Sequence, residues 1–408
     1  MSGLFRLLAL GVRNLLRNRG RSAITSASLL VGVAMMIFGQ GLLNGVQRGV
    51  VEDAVLSKIG AVQIYRAGYL EAEQDLLSFD LPDDPALIAR LRAVPGVRAV
   101  SRRLALEGML SNGSISALFV ATAIDPRSEY DVCPRRRGQV AAGSTPLSVD
   151  DANGALLGQV LADGLGAKKG ATLYASATTK NGAPNAIDIT LHGHLPDASG
   201  VFENKAGAVL PLALAQDLLR MPGRVTEYVL HVEDLERVDG VAAALRASLG
   251  DGYQVKTWRD RPQIRNFVQT MGVIMGFVAF LLSILVISVI VNTMLMSIYE
   301  RIGEIGTMLA LGVRRWQVML LFLIESAALG LLGALGGALI GLALLRLTAG
   351  GIAMPATALS GTLRIVPFIG GSYVAWAIVT ATLGAIGAAL YPAWTAARMK
   401  PVDALRAL

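Results

Sequence analysis

Residues 266–299 read NFVQTMGVIMGFVAFLLSILVISVIVNTMLMSIY, a stretch with no Asp, Glu, Lys, Arg or His. A helix needs about 20 predominantly apolar residues to cross roughly 30 Å of hydrocarbon at about 1.5 Å per residue. This run is long enough to cross and still tilt or project beyond the bilayer. Three other stretches behave alike: 22–47, with the apolar run 23–43 inside it; 316–345, interrupted by Glu325; and 365–397. Four transmembrane helices follow. The composition agrees, since 53% of the 408 residues are hydrophobic and 16% charged, where a soluble domain is about a quarter charged. With a mean hydropathy of +0.53, apolar surface must face lipid. The same composition excludes a disordered, collagenous or coiled-coil chain. Cys133 is the single cysteine, which excludes a disulfide scaffold.

The arginines set the orientation. Arg6, Arg13, Arg17, Arg19 and Arg21 precede the first helix, Arg301, Arg314 and Arg315 lie between the second and third, and Arg398, Lys400 and Arg406 follow the fourth. The positive-inside rule puts all three segments, and both termini, in the cytoplasm. Membrane flanks therefore account for the net charge of +7, and no nucleic-acid partner is expected. Residues 1–21 form an amphipathic elbow, with Phe5, Leu8, Val12, Leu15 and Leu16 on one face and Arg6, Arg13 and Arg17 opposite, lying on the lipid surface. No A-x-A-like cleavage site follows the first helix, which reads as a retained anchor. The expected order is helix one at 22–43, an outer domain at 44–265, helix two at 266–298, a cytoplasmic loop at 299–315, helix three at 316–345, a short outer loop at 346–370, helix four at 371–393 and a tail at 394–408.

The outer segment alternates strand and helix patterns. Strands are expected at 61–65, 97–110, 115–123, 172–177, 187–194, 209–210, 228–232 and 253–258, and helices at 84–93, 155–165, 212–219 and 237–249. Asn112-Gly113 and Asn181-Gly182 mark hairpins. The fold class is thus a four-helix integral membrane protein with a large mixed α/β extracytoplasmic domain between helices one and two. Two subdomains are expected in a segment this long.

Candidate chemical sites in that domain are weak. Gly164, Gly166 and Gly170 follow a helical pattern and precede a strand, the reverse of a dinucleotide-binding motif, so they read as a turn. His192 and His194 share one strand face, but zinc needs a third and usually a fourth ligand, and Asp188, Asp197 and His231 are unsupported guesses. They read as surface histidines. Cys133, beside Pro134-Arg135-Arg136-Arg137, is placed for a lowered thiol pKa, although a lone cysteine on a basic loop is more often incidental. No catalytic, cofactor-binding or metal-binding set emerges, and the chain is not expected to be an enzyme.

In the membrane, Glu325 is a functional candidate because intramembrane charge is costly; the competing reading is a protonated acid bonded to a neighbouring helix. Gly333, Gly337 and Gly341, at four-residue spacing, permit close helix packing. In the cytoplasmic loop, Ile302, Ile305 and Leu309 form an apolar stripe expected to be exposed, and Gly312 is a helix stop. Glu300 and Glu304 point together and weaken an isolated helix, which favours a basic docking partner. The chain contains no G-x-x-x-x-G-K-[ST] motif, so it has no P-loop of its own.

The loop Glu300-Arg301-Ile302-Gly303-Glu304-Ile305-Gly306, continuing to Gly312, resembles the E-R-x-x-E-I-G-x-x-x-A-x-G signature of FtsX-like (MacB-type) ABC transporter permeases. Gly303 stands where many relatives carry arginine. Further blocks agree: Asn14-Leu15-Leu16-Arg17-Asn18-Arg19, Asn292-Thr293-Met294-Leu295-Met296-Ser297, and Pro392-Ala393-Trp394-Thr395-Ala396-Ala397-Arg398 with Pro401-Val402-Asp403-Ala404-Leu405-Arg406. Gly60-Ala61-Val62-Gln63-Ile64, Ala123-Ile124-Asp125-Pro126, Leu210-Pro211-Leu212 and Thr257-Trp258 look closest to the lipoprotein-releasing, LolC/LolE-like branch. The resemblance implies a multi-pass inner-membrane permease working as a homo- or heterodimer with a separate ABC ATPase. That subunit would bind ATP and Mg, and would dock on Glu300, Arg301, Ile302, Glu304, Ile305, Leu309 and Gly312. It implies mechanical extraction or export of lipoproteins or other amphiphiles, with a lipoprotein or periplasmic carrier as a further partner. The alternative is an FtsX-type scaffold that activates cell-wall hydrolases without transport; its usual outer domain is much smaller.

Overall fold

The computed structural model describes residues 19–72, 76–195, 201–300, 302–354 and 363–398. The elbow with Arg6, Arg13 and Arg17, residue Arg301 and the tail from residue 399 lie outside the described residues. In chain order the helices are α1 (Arg19–Ala54), α2 (Pro85–Arg92), α3 (Pro126–Val132), α4 (Gln159–Gly164), α5 (Val201–Ala206), α6 (Leu212–Leu219), α7 (Val238–Leu249), α8 (Pro262–Glu300), α9 (Ile302–Ala310), α10 (Arg315–Leu347) and α11 (Gly371–Arg398). The strands are β1 (Val62–Arg66), β2 (Leu81–Pro82), β3 (Val97–Ser111), β4 (Ser116–Ile124), β5 (Gly154–Leu157), β6 (Thr172–Thr178), β7 (Pro184–His194), β8 (Gly207–Pro211), β9 (Arg224–Val225), β10 (Glu227–Val232), β11 (Tyr253–Thr257), β12 (Ile352–Met354) and β13 (Leu363–Ile365). The chain divides into a helical unit (Met1–Gln47, Gln269–Ile352, Ile365–Leu408) and an α/β unit (Arg48–Val268, Ala353–Arg364). Both main boundaries fall inside helices, α1 and α8.

Among the described residues, four helices are long and apolar enough to cross a membrane: Ser26–Ile59, Ile264–Glu300, Arg315–Leu347 and Gly371–Arg398. Glycine brings α1 onto α10. A Cβ at Gly333 would sit 2.6 Å from Leu29 Cβ, one at Gly337 2.6 Å from the Leu30 carbonyl oxygen, and one at Gly341 3.0 Å from Ile37 Cβ. On the other side Gly330 meets Ala385 of α11. Small residues thus replace bulky ones where backbones touch, the packing available when lipid removes any hydrophobic drive between helices. In contrast, Val273, Phe277, Phe280 and Leu285 of α8 stand exposed, the surface expected of a helix that is apolar all round.

In the α/β unit the strand order is β11-β1-β10-β3-β4-β8-β5-β7-β6, and β6 pairs back onto β3. Strands β3, β4, β8, β5, β7 and β6 therefore close into a ring, which leaves no free edge among them. The fifteen-residue β3 belongs to two layers. Its end, Met109–Ser111, closes the ring against Tyr174–Ser176, whereas Val97–Arg103 pairs with β10. There β11, β1, β10 and β3 form an open antiparallel sheet, with α2 between β1 and β3 and α7 between β10 and β11. This is a βαββαβ arrangement with the ring inserted at its middle hairpin. The two subdomains expected from length are not separate compact units: residues 48–268 form one unit whose open sheet and ring share β3 and a single core.

The core repeats the logic. On one face of the open sheet Val62, Ile64, Val100, Leu104, Tyr228, Leu230 and Val255 bury against Leu87, Leu91, Val241 and Leu245 of α2 and α7. Asp84 caps α2 by accepting from the Ala86 amide, with Pro85 at the first position, a standard helix start. The hairpins turn at Gly113 and Gly182, both at positive φ.

One strand stands where a helix is expected, α1 runs on to Ala54 past its expected end at 43, and α3 and α5 are unexpected. Residues 155–165 read as a helix, but Gly154–Leu157 is a strand, parallel to β7 and antiparallel to β8, and only Gln159–Gly164 is helical. Gly154, Ala155, Leu156 and Leu157 are all buried, and a short wholly apolar run carries no period by which to tell strand from helix.

The end of α1 is set by sterics. A π turn, Val55–Ile59, follows it and stops at Gly60, at φ +67°. A Cβ on Gly60 would lie 2.1 Å from Val229 Cγ1. Gly60→Ala is therefore expected to destabilise the α/β unit by about 1–3 kcal/mol or more, through strain and overpacking together. Hydrogen exchange of the full chain checks this: protection of β1 and β10 amides should fall, and unchanged protection contradicts it.

Candidate functional site

Between α8 and α10 the chain makes an elbow. Ile298, at the end of α8, packs with Ile305 of α9, Val318 and Phe322 of α10, and Ala393 and Ala396 of α11. Ile305 is fully buried and Leu309 lies partly buried against this cluster. The expected exposed stripe of Ile302, Ile305 and Leu309 is therefore corrected, because its apolar side is used inside the chain. A nine-residue helix is marginal alone, and this packing holds it.

The helix stop at Gly312 is complete. Val313 N–H donates to Met308 O and Gly312 N–H to Leu309 O, with Gly312 at φ +88°, the paired bonds of a Schellman motif. Arg314 N–H then donates to Gln317 Oε1 and starts α10. Tyr299, Glu300, Glu304, Thr307, Leu311, Arg314, Arg315 and Trp316 face outward; Leu311 is 82% exposed. Glu300 closes α8 and Glu304 lies in the first turn of α9. The elbow is thus a fixed bracket that presents two carboxylates, an apolar tip at Leu311 and, at the start of α10, Arg314 and Arg315.

Glu325 sits elsewhere, buried in α10 beside Ser326, whose hydroxyl donates to the Phe322 carbonyl. It is enclosed among helices and does not line the elbow.

In the α/β unit, Cys133 is fully buried, and burial pushes its thiol up to about 11, outweighing the nearby arginines. This corrects the expectation of a lowered pKa: desolvation wins over the basic loop. Arg135, Arg136 and Arg137 are occupied with Asp53, Glu129 and the Tyr130 ring. His192 Nδ1 lies 3.4 Å from Asp151, and His231 Nδ1 bonds the Val132 carbonyl. Asp197 lies outside the described residues. Gly166 and Gly170 take positive φ in the turn between α4 and β6.

A charged cluster escaped the sequence reading. Arg103 Nη2 and Nε donate to the Glu129 oxygens at 2.6 and 3.1 Å, Ser101 Oγ donates to Glu129 Oε2 at 2.9 Å, and Arg136 Nη1 donates to Oε1 at 2.8 Å. Burial alone would raise the Glu129 pKa, but the two arginines and the Ser101 bond outweigh it and hold the carboxyl at about 2. The signals were present: Arg102-Arg103 inside an apolar strand, and Asp125-Pro126, a cap-plus-proline start that does open α3.

Two family models match. The FtsX-like permease C-terminal model covers residues 276–401, and the MacB-like periplasmic core domain covers residues 22–248. A macrolide export ATP-binding/permease protein MacB from Nitrobacter winogradskyi is 24% identical, over 95% of this chain and 58% of its own length. A lipoprotein-releasing system transmembrane protein LolC from Xylella fastidiosa is 27% identical, over 51% of this chain and 54% of its own. A MacB from Chlorobium luteolum, also 27% identical, is covered over only 34% of its length. The chain thus spans about a third to three fifths of the curated relatives it matches. The solved periplasmic region of MacB from Actinobacillus actinomycetemcomitans aligns over 54% of this chain and 97% of its own, at 13% identity and a TM-score of 0.36. The chain belongs to the FtsX-like, MacB-type family of ABC transporter permeases, with an extracytoplasmic α/β domain and LolC-type relatives.

Proposed function

We propose that this permease works with a separate ATPase subunit that docks on the elbow of α9, and that ATP-driven closure moves the outer domain to extract or export lipoproteins or other amphiphiles. The observation that carries the docking reading is the bracket itself. Ile305 fixes α9 from behind, so Glu300, Glu304 and Leu311 are presented in a set geometry that a basic cleft can grip. ATP and Mg belong to the partner in this reading, and the elbow, both termini and the arginine flanks lie in the cytoplasm. A second permease chain, identical or related, completes the assembly in the inner membrane, and membrane lipids and a lipoprotein or periplasmic carrier are its other partners.

The test is Glu304→Lys. Reversing one exposed charge leaves the core around Ile305 intact, so the protein should reach the membrane at its normal level. Capture of the ATPase should fall about tenfold, equivalent to about 1.4 kcal/mol, and substrate-stimulated ATP hydrolysis should be lost in the reconstituted complex. Unchanged stimulation contradicts the assignment. Copurification of an ATPase with a cell-wall hydrolase, and with no lipidated cargo, would favour a signalling scaffold instead.

A further inference from the structure

The open sheet has two unlike faces. One is apolar and covered by α2 and α7. By strand alternation the other carries Gln63 and Tyr65 of β1, Ser101 and Arg103 of β3, and Glu227 of β10, beside Ala99 and Val229, which pack with Val132 and Cys133. Gln63, Tyr65, Ser101 and Arg103 are all buried, Gln63 and Ser101 completely. Helix α3 covers part of this face with Glu129, which is completely buried.

The polar layer runs between two helix ends that belong to the α/β unit. At the end of α1, Val55 O accepts from the Cys133 thiol, Leu56 O from the Arg135 amide, and Ser57 Oγ from Gln139 Nε2 at 2.7 Å. Gln63 Nε2 donates to the Ile59 and Gly60 carbonyls. Cys133 also accepts from Arg103 Nη2 at 3.3 Å, and Arg103 pairs with Glu129 and, at 3.6 Å, with Glu227. Arg261 Nη2 donates to Tyr65 Oη at 2.8 Å, and burial together with the neighbouring Glu227 raises the Tyr65 pKa. Arg261 immediately precedes Pro262, the first residue of α8.

We propose that the buried layer of Arg103, Glu129, Glu227 and Tyr65 is a positioning device that ties the end of α1 to the start of α8, so that the two helices enter the domain as one rigid pair. The chemistry favours this over a purely stabilising role. A buried ion pair is often no more stable than a well-packed apolar replacement, so the layer is a poor choice for stability alone. Its bonds are directional and mutually dependent, which fixes relative orientation in a way apolar packing does not. The proposal rests on the permease reading only for its purpose, which is to pass helix motion into the domain.

The test is made on the full chain in lipid nanodiscs, without ATPase or substrate. Spin labels are placed at exposed stalk positions through Arg48→Cys and Arg265→Cys. Cys133 stays unlabelled because it is buried and its thiol is pushed up to about 11. Electron–electron double resonance then reads the distance between the two labels. The parent should give one narrow peak. Tyr65→Phe removes the hydroxyl that accepts from Arg261 beside Glu227 and keeps the ring stacked on Tyr69. Arg103→Met with Glu129→Leu replaces the central pair by apolar groups. Both variants should broaden the distribution and shift its peak while the thermal midpoint holds. A peak as narrow as the parent's in Tyr65→Phe and in the double variant, or in Tyr65→Phe alone if the double variant does not fold, overturns the proposal. Because no ATPase is present, this result stands or falls independently of docking at Glu304.

Discussion

Glu129→Ala is expected to destabilise the α/β unit by about 3–5 kcal/mol, because buried Arg103 loses its two-bonded carboxylate and keeps only Glu227, at 3.6 Å. Arg103 is nearly inaccessible, with 4% of its side chain exposed, so water cannot replace the lost carboxylate. Ser101 loses its carboxylate acceptor at the same time and keeps only the Ser128 hydroxyl at 3.2 Å. Such a loss takes a large share of the stability of an ordinary domain. The pH dependence follows from the same pair. Glu129 has a folded-state pKa of about 2, below its unfolded value of about 4.3. Its contribution is therefore fully present above the unfolded value and is lost as pH falls toward 2. Asp80 acts in the same sense: burial opposes its ionisation, but bonds from Arg224 and Lys180 outweigh that and lower its pKa. Hydrogen exchange at β3 and β10 in the full chain should show lost protection in Glu129→Ala at neutral pH, and in the parent only on acidification. Equal protection in the two proteins at neutral pH contradicts the assignment.

The second large effect belongs to the helical unit. Gly337→Leu is expected to prevent α1 and α10 from packing. A Cβ alone would lie 2.6 Å from the Leu30 carbonyl oxygen, 2.8 Å from Val33 Cβ and 3.1 Å from the Ala34 nitrogen. Two of these are backbone atoms, which cannot rotate away as a flexible side chain does. Overpacking a close-packed contact costs about 1–3 kcal/mol or more, and here relief requires the helices to separate. Gly336→Leu is the control, since its nearest neighbour is the flexible end of Leu30 at 3.1 Å. Detergent-resistant folded yield and thermal midpoint should fall sharply for Gly337→Leu and much less for Gly336→Leu. Similar behaviour of the two variants refutes the close approach at Gly337.

The membrane architecture was legible because it depends on uncharged length alone, and residues 266–299 carry that signal without ambiguity. Alternation and Asn-Gly turns identified β3, β4, β6 and β7. The reading failed where period was missing: Gly154–Leu157 is uniformly apolar, and the extension of α1 to Ala54 passes through Arg48, Glu52 and Asp53, charges that read as the start of a loop. At the elbow the sequence located the element but misjudged its face. Ile305 turns inward because Val318, Phe322 and Ala396, distant in sequence, supply its neighbours. The Arg103–Glu129 pair was invisible for the same reason. Its members lie on a strand and on a short helix, and nothing local says that they meet.

On the proposed reading, the elbow of α9 is where the ATPase docks. Site-specific photocrosslinking from position 311, whose leucine is 82% exposed, tests it most directly in native membranes. One dominant adduct, an ABC ATPase, is expected, and it is lost in Glu304→Lys. Crosslinks to lipid alone, or to proteins without an ATP-binding domain, would contradict it.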